Sequence, residues 1–433
     1  MFKVVDMRRN QLCHQLRTVY TPERGFGVAK TAEPKQYNIW FVVPPAPPRI
    51  APEKLPQDAL RRAYQTLDEK IPPLGSEDEL DRFVALLFQR REAVASSRME
   101  GTWSTIDHVL TPNETGEYEG NTKSATASVR GYADALETHM STVLKRRHKM
   151  FTPTFVKGLH KSIMAKDPSF DGTPGALRAP GKHRGVVFIG GLRKEDSIYN
   201  PAPPEHVSEK FKEVLQWYRD DLLADMGDAG MNRMTLPVRL AIGHAHFEAV
   251  HPFQDGNGRV GRMLWPFQMA IAGLSPLYLS GFVEVHKENY GRALGAAQKQ
   301  LNYNPLIEFV CAAITESHAE AAKTKATLLG LPETWRERAV FRKNSAAARA
   351  LPYLIKSPIM TANELSRTLD ISFQAASNAL KSLVERRVLL ERTEQKRHRI
   401  FAAEEVLALI ARPFGASSTQ ALKTCRRALL RED

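Results

Sequence analysis

Residues 251–262 read His-Pro-Phe-Gln-Asp-Gly-Asn-Gly-Arg-Val-Gly-Arg, and the side chains in that string can do chemistry together. Histidine is the side chain whose ordinary pKa lies near neutrality, which suits His251 to take a proton. Asp255 offers hard oxygen ligands, and Mg²⁺ is usually held by one or two carboxylates plus substrate phosphates. Gly256 and Gly258 have no Cβ, so backbone N–H groups there can come close to a ligand. Val260, Met263, Leu264 and Phe267 then recur at helical spacing, which puts the glycines at a helix start, a natural anion site. Arg259 and Arg262 are spaced i, i+3 and share a face of that helix. Two guanidiniums beside an amide cradle and a cation-binding carboxylate describe a site for a polyphosphate.

The string resembles the motif of the Fic family, HPFx(D/E)GNGRxxR, and matches every fixed position. The resemblance implies a mainly α fold: a Fic-type helical core with a short β-hairpin flap. It also implies transfer of AMP from ATP to a Ser, Thr or Tyr hydroxyl of a target protein or of the chain itself. In that reaction His251 is the base and Asp255 holds Mg²⁺, which Mn²⁺ can replace. Gly256, Asn257 and Gly258 contact the phosphates, with Asn257 adding its side-chain amide. Arg259 lies at the β-phosphate and Arg262 at the γ-phosphate. Tyr290 falls near the adenine or ribose, with core packing as its other reading. His244 and His246 are packing or supporting residues, because i, i+2 spacing does not put them on one face.

Other elements must position this segment. A helix is expected from Ser76, with Ser76 as N-cap and Glu79 as its capping-box partner. It continues to Gly101, which is placed as its stop. Ser96–Gly101 resembles the family's inhibitory motif, (S/T)xxxE(G/N). The resemblance implies that Glu100 pairs with Arg262, because a carboxylate and a phosphate compete for one bidentate fork. It also raises removal of AMP as a second activity. The β-branched run between glycines in 184–191 predicts a strand or hairpin. It resembles the Fic flap, which holds a target segment by strand addition, with Ile189 as the apolar clamp. Pro237 is expected to open the helix that leads to His251.

With 433 residues the chain has room for roughly two to four domains. The expected division is 1–75, an N-terminal segment packing on the core; 76–325, a catalytic region with an inhibitory helix over about 80–101; and 326–433, a connector and a last domain. In the last domain Leu351, Leu354 and Ile355 start a helix. Thr361–Ser366 fits a capping box and a short helix, and Phe373–Arg387 forms a second helix. The basic run Lys396-Arg397-His398-Arg399 then lies between Val388-Leu389-Leu390 and Ile400-Phe401. This order resembles a winged helix-turn-helix, with Gln374, Ser377 and Asn378 as DNA base readers. The other reading is a module for contacts with a target or with a second copy in a homodimer.

The net charge of +13 favours a polyanionic partner. Three cysteines, far apart and without metal spacing, fit a reducing compartment, and no secretion signal is legible at the start, so the cytoplasm is expected. The apolar stretch 264–282 is broken by Pro266, Gly273, Pro276 and Gly281, which reads as a buried helix rather than a membrane span. An alternative function is an ATP-sensing, DNA-binding regulator without transfer activity.

Overall fold

The structure, a computed structural model, describes residues 16–20, 37–76, 78–111, 121–180, 185–190, 197–219, 229–393 and 399–429. It is mainly helical, with a two-stranded and a three-stranded sheet among the described residues. No helix among them is long and apolar enough to cross a membrane. Two compact units interleave along the chain. One comprises 1–71, 137–276 and 286–315; the other comprises 72–136, 277–285 and 316–433. The expected segments were contiguous, whereas the units exchange the chain several times. The helix Glu79–Met99 belongs with the C-terminal residues and not with the signature segment.

In the first unit the helix Ala229–Val250 is the central strut. Against it pack the helices Gln57–Glu69, Pro204–Tyr218, Asn257–Ile271 and Lys287–Gln300. Every residue from Asn257 to Ile271 is buried, so this helix has no solvent face, and its polar side chains Asn257, Arg259, Arg262 and Gln268 are buried with the apolar ones. Pro266 lies inside it. Pro237 lies inside Ala229–Val250 and does not open that helix as expected. The helix is already formed before the proline, and burial of Leu240, Ala241 and Ile242 beyond it holds the following turns. The strand Tyr37–Phe41 runs antiparallel to Leu16–Tyr20. Beyond it, Val42 N–H donates to Asn200 O (2.9 Å), and Val42 packs with Tyr199 and Ala249.

The second unit starts its long helix at Glu79, with Asp78 as the N-cap accepting from Asp81 N at 2.7 Å. Ser76 is not the cap: its hydroxyl donates to Pro73 O (2.6 Å) and closes the preceding turn. Glu100 is the C-cap, and Gly101 stops the helix at φ +82°, as its position predicted. Buried Glu92 on this helix accepts from Ser280 N (2.9 Å) and Ser280 Oγ (2.5 Å). Further on, Glu320 joins Arg91 (3.2 Å) and Arg412 (2.6 Å).

The C-terminal elements run helix Ala346–Ala350, helix Tyr353–Lys356, strand Ile359–Thr361, helices Ala362–Leu369 and Phe373–Glu385, then strands Leu390–Glu391 and Ile400–Ala402. Ile400–Ala402 is the middle strand, antiparallel to both neighbours. The helix expected from Leu351 is two short ones separated at Leu351-Pro352. The capping box forms as read: Thr361 N–H donates to Glu364 Oε2 (2.7 Å) and Glu364 N–H to Thr361 Oγ1 (3.3 Å). Lys396, Arg397 and His398 lie outside the described residues.

One buried carboxylate ties the end of this unit together. Glu405 accepts from Trp335 Nε1 (2.6 Å), Arg338 Nη2 (2.8 Å) and Arg426 Nε. Burial alone would raise its pKa, but hydrogen bonds from Arg338, Arg426 and Trp335 bring it below the usual value. Its stabilising effect is therefore present above the ordinary carboxylate range and is lost as pH falls through the depressed pKa. Glu405→Gln is expected to cost about 1–3 kcal/mol, because a neutral amide replaces the buried carboxylate that Trp335, Arg338 and Arg426 share. Amide hydrogen exchange over Glu404–Ala411 should quicken; unchanged exchange would mean the carboxylate does not hold this region.

Candidate active site

The signature segment is a tight loop between two buried helices, and most of its geometry lies in how the loop is held. His251 follows the last turn of Ala229–Val250, its N–H donating to Phe247 O at 2.9 Å. Its φ is +49°, a left-handed conformation that costs a non-glycine residue about 1–2 kcal/mol. Something must compensate for that strain, and the buried Arg178 is placed to do so. Its Nε donates to His251 O (2.7 Å) and its Nη2 to Val250 O (2.9 Å) and Ala202 O (2.8 Å). Its Nη1 donates to Gly185 O (2.9 Å), and its own N–H to Pro252 O (2.9 Å). One guanidinium thus fixes the backbone on both sides of His251. Burial lowers the Arg178 pKa to about 9, which still leaves it charged at neutral pH.

A second group holds the far side of the loop. His160, from the helix Pro153–Met164, accepts at Nδ1 from Gly175 N (2.7 Å), so its Nε2–H donates to Asp255 O (3.0 Å). Its ring stacks on Phe253, with centroids 3.9 Å apart. Gly256 has φ +75° and serves as the N-cap, and a Cβ there would stand 2.6 Å from Met164 Sδ. Glycine is thus required by both conformation and space.

Asn257 is engaged by the loop itself. Its Oδ1 accepts from Phe253 N (2.9 Å) and its Nδ2 donates to Phe253 O (2.9 Å). Both ends of the amide meet the loop's own backbone, so Asn257 shapes the cradle, and its Nδ2 keeps a second hydrogen beyond that bond. Arg259 is buried, with Nη1 2.9 Å from Asp167 Oδ2. One edge of the fork expected at the β-phosphate therefore meets a carboxylate. Arg262 is buried at 2% exposure. Asp255 is exposed, with Oδ1 accepting from Gly256 N at 2.6 Å. A single exposed carboxylate at a helix start fits a Mg²⁺ held otherwise by phosphates. No cluster of three or more His, Cys, Asp or Glu able to hold a metal occurs among the described residues.

Tyr290 donates to or accepts from His244 Nε2 at 2.7 Å and is buried, which places it in packing against the central helix. His246 pairs with Tyr303 in the same way, at 2.8 Å. Both histidines are therefore supporting residues, as their spacing predicted. Ile189 pairs with Tyr199 in an isolated antiparallel bridge and packs half-buried against Val42, Tyr199 and Ala249. The more exposed apolar side chain of the hairpin is Ile198, at 59%. Residues 181–184 and 191–196 lie outside the described residues. Glu100 is exposed at its helix end, in the other compact unit.

Arg178, His160 and Asp167 carry no motif that sequence reading could use. A basic, an imidazole and an acidic side chain 73 to 95 residues from their loop partners become partners only through the fold.

Comparison with known proteins finds family matches over part of the chain. Residues 150–268 match the Fic/DOC family and residues 80–140 the Fic/DOC family N-terminal region. Protein adenylyltransferase fic-1 of Caenorhabditis elegans is 32% identical over 126 residues, covering 29% of this chain and 21% of that protein. Probable protein adenylyltransferase aq_aa38 of Aquifex aeolicus is 34% identical over 79 residues, covering 17% of this chain and 22% of that protein. The chain thus spans about a fifth of the length of these curated relatives. A Fic family protein from Desulfovibrio desulfuricans shares the fold, with a TM-score of 0.50 at 20% identity over 83% of this chain and 98% of that one.

Two predictions follow from the loop's supports. Arg178→Lys keeps the charge but cannot span four carbonyls, and is expected to lower unfolding free energy by about 2 kcal/mol or more. A denaturation midpoint equal to wild type would show that the clamp is dispensable. Burial lowers the pKa of His160 and His244 to about 4 and of His246 to about 3. The unfolded chain takes these protons near the ordinary histidine value, so stability is full above that value and falls as pH drops toward about 4. The thermal midpoint should decline from pH 7 to pH 5; a flat profile would contradict neutral burial of these rings.

Proposed function

We propose that the Fic domain of this chain is a protein adenylyltransferase, moving AMP from ATP to a Ser, Thr or Tyr hydroxyl of a target protein and of itself. The supporting observation is the loop itself: His251 held in a left-handed conformation, beside an exposed Asp255 and the start of a buried helix that carries Arg262. His251 takes the proton from the target hydroxyl. The freed oxygen bonds to the α-phosphorus, the bond from that phosphorus to the bridging oxygen breaks, and pyrophosphate leaves. Backbone N–H groups from Gly256 to Gly258, with the helix dipole, face the charge that builds on the phosphates. Arg262 is the cation for the γ-phosphate, and Arg259 supports the β-phosphate edge while paired with Asp167. Asp255 would hold Mg²⁺, which supplies neutralisation of phosphate charge when bound. Tyr290 supports the nucleotide pocket from behind through His244 rather than by touching the base.

The proposal includes a brake. Ser96–Gly101 supports Glu100 as an inhibitory carboxylate that competes with the γ-phosphate for Arg262, a reading carried by the sequence motif alone. The same carboxylate can hold a water for removal of AMP. The hairpin at Ile189–Tyr199 would align the target by strand addition. A second reading, an ATP-sensing DNA-binding regulator, is favoured by one observation. The C-terminal order helix, strand, helix, helix, strand, strand is that of a winged helix-turn-helix, and Gln374 and Asn378 are exposed on its second helix. A homodimer through this module fits the same order.

The test is the intact mass of wild type, Glu100→Gly and His251→Ala after incubation with ATP and Mg²⁺. Gain of AMP mass is expected to be largest in Glu100→Gly and absent in His251→Ala. Wild type added to the modified Glu100→Gly protein should then remove the label if the brake residue also serves hydrolysis. No gain in any variant, with ATP-dependent binding to duplex DNA, would favour the regulator.

A further inference from the structure

The buried carboxylate of Glu248 has no place in the mechanism above, and its surroundings give it one. It sits one helical turn before His251 on Ala229–Val250, at 7% exposure. Its Oε2 lies 3.6 Å from His251 Nδ1, within ion-pair range but beyond a hydrogen bond. Its Oε1 and His251 Nδ1 are both buried without a hydrogen-bond partner among the described residues. A buried carboxylate oxygen left in this state costs on the order of 1–3 kcal/mol, more than a packing residue should. Space has been made for it too. A Cβ on Gly261 would stand 2.9 Å from Glu248 Oε1 and 3.1 Å from His244. The family motif leaves this position open, and any larger residue here would press on the carboxylate in its present place.

The groups around it are His244 on its own helix, His251 just past that helix's end, Arg262 on the next helix, and the phenols of Tyr199 and Tyr218. Burial alone would raise the Glu248 pKa; interactions with His251, His244 and Arg262 reverse that and lower it. The carboxylate is thus an anion at neutral pH, facing the ring edge opposite to the nitrogen that must work as base.

We propose that Glu248 is a positioning residue for His251: it draws the ring proton to Nδ1, leaves Nε2 as the free base, and balances the imidazolium formed when Nε2 takes the target's proton. The step is balanced within the reaction already given. The hydroxyl O–H bond breaks, the Nε2–H bond forms, and the proton passes to solvent after pyrophosphate leaves. Neutral imidazole in water favours the opposite tautomer, so without Glu248 much of the ring would present an N–H where a lone pair is needed. The 3.6 Å gap is of the kind that tightens when charge develops on the ring. This inference rests on His251 being the base, as proposed above.

The experiment uses the full chain labelled with ¹⁵N-histidine, comparing wild type, Glu248→Gln and Glu248→Met, with His251→Ala to assign the signal. At alkaline pH the ring nitrogen shifts report the tautomer without any need for activity. Wild type and Glu248→Gln, which both retain an oxygen acceptor, should show Nδ1–H; Glu248→Met should move toward Nε2–H. Self-modification at saturating ATP should fall about 10–100-fold in Glu248→Gln and by about 100-fold or more in Glu248→Met. ATP affinity should stay within about two-fold. Nε2–H in wild type, or one tautomer in wild type and Glu248→Met alike, overturns the proposal. If Glu248→Met fails to fold, full activity in Glu248→Gln overturns the charge-balancing half. If no protein transfers AMP, the transferase reading fails while the tautomer comparison still decides for or against Glu248.

Discussion

The conformation of one residue, His251, sets the terms for the site. A helix that continued past Val250 would carry the imidazole away from the start of the next helix. The left-handed turn at φ +49° brings the chain round instead, and that turn is unfavourable for any side chain with a Cβ. Arg178 supplies the compensation. Its planar fork reaches the carbonyls of Val250 and His251 together with those of Gly185 and Ala202, so the base, the hairpin and the start of Pro204–Tyr218 share one anchor. Lysine could not do this, because its donors diverge from one point. Keeping a guanidinium charged at 3% exposure is unfavourable, and the four carbonyls are what make it tolerable.

The segment 251–262 divides into residues that hold and residues that act. Asn257 closes the loop on Phe253, Gly256 lets it turn, and Arg259 is tethered to Asp167. His251, Asp255 and Arg262 are the three that the proposed chemistry uses. A motif read as letters does not separate these groups. Hydrogen-bond capacity separates them. An amide whose oxygen and nitrogen are both engaged by backbone has one N–H left for a phosphate, whereas an exposed carboxylate with one oxygen on Gly256 N keeps room for a cation.

Much of this site was legible in the sequence because the motif is local and its spacing sets its geometry. The helix after the glycines, the stop at Gly101 and the capping box at Thr361 were readable for the same reason: each depends on residues within a turn or two. The supports were not. Arg178, His160 and Asp167 act across many tens of residues, and their types alone suggest only solvated surface. Ser76 and Pro237 misled because local preference was outvoted, in one case by a better cap at Asp78 and in the other by burial on both sides of the proline. The orientation of Ile189 depended on the cluster formed by Val42, Tyr199 and Ala249, three separate segments that only the fold brings together.

Positive charge is limited around the signature loop. Three histidines sit buried close to the loop or on its flanking helix, and all three are held neutral by burial. Neutrality is what their bonding needs. His160 must accept from Gly175 and donate to Asp255 at the same time, which only the neutral ring can do; a protonated ring would turn the acceptor into a donor and push Gly175 away. Added positive charge would also compete with Arg262 for the same ligand. With these rings neutral and Arg259 matched by Asp167, the buried carboxylate of Glu248 lies close enough to Arg262 for their charges to balance. Under the proposed mechanism, negative charge would gather at the helix start, next to His251.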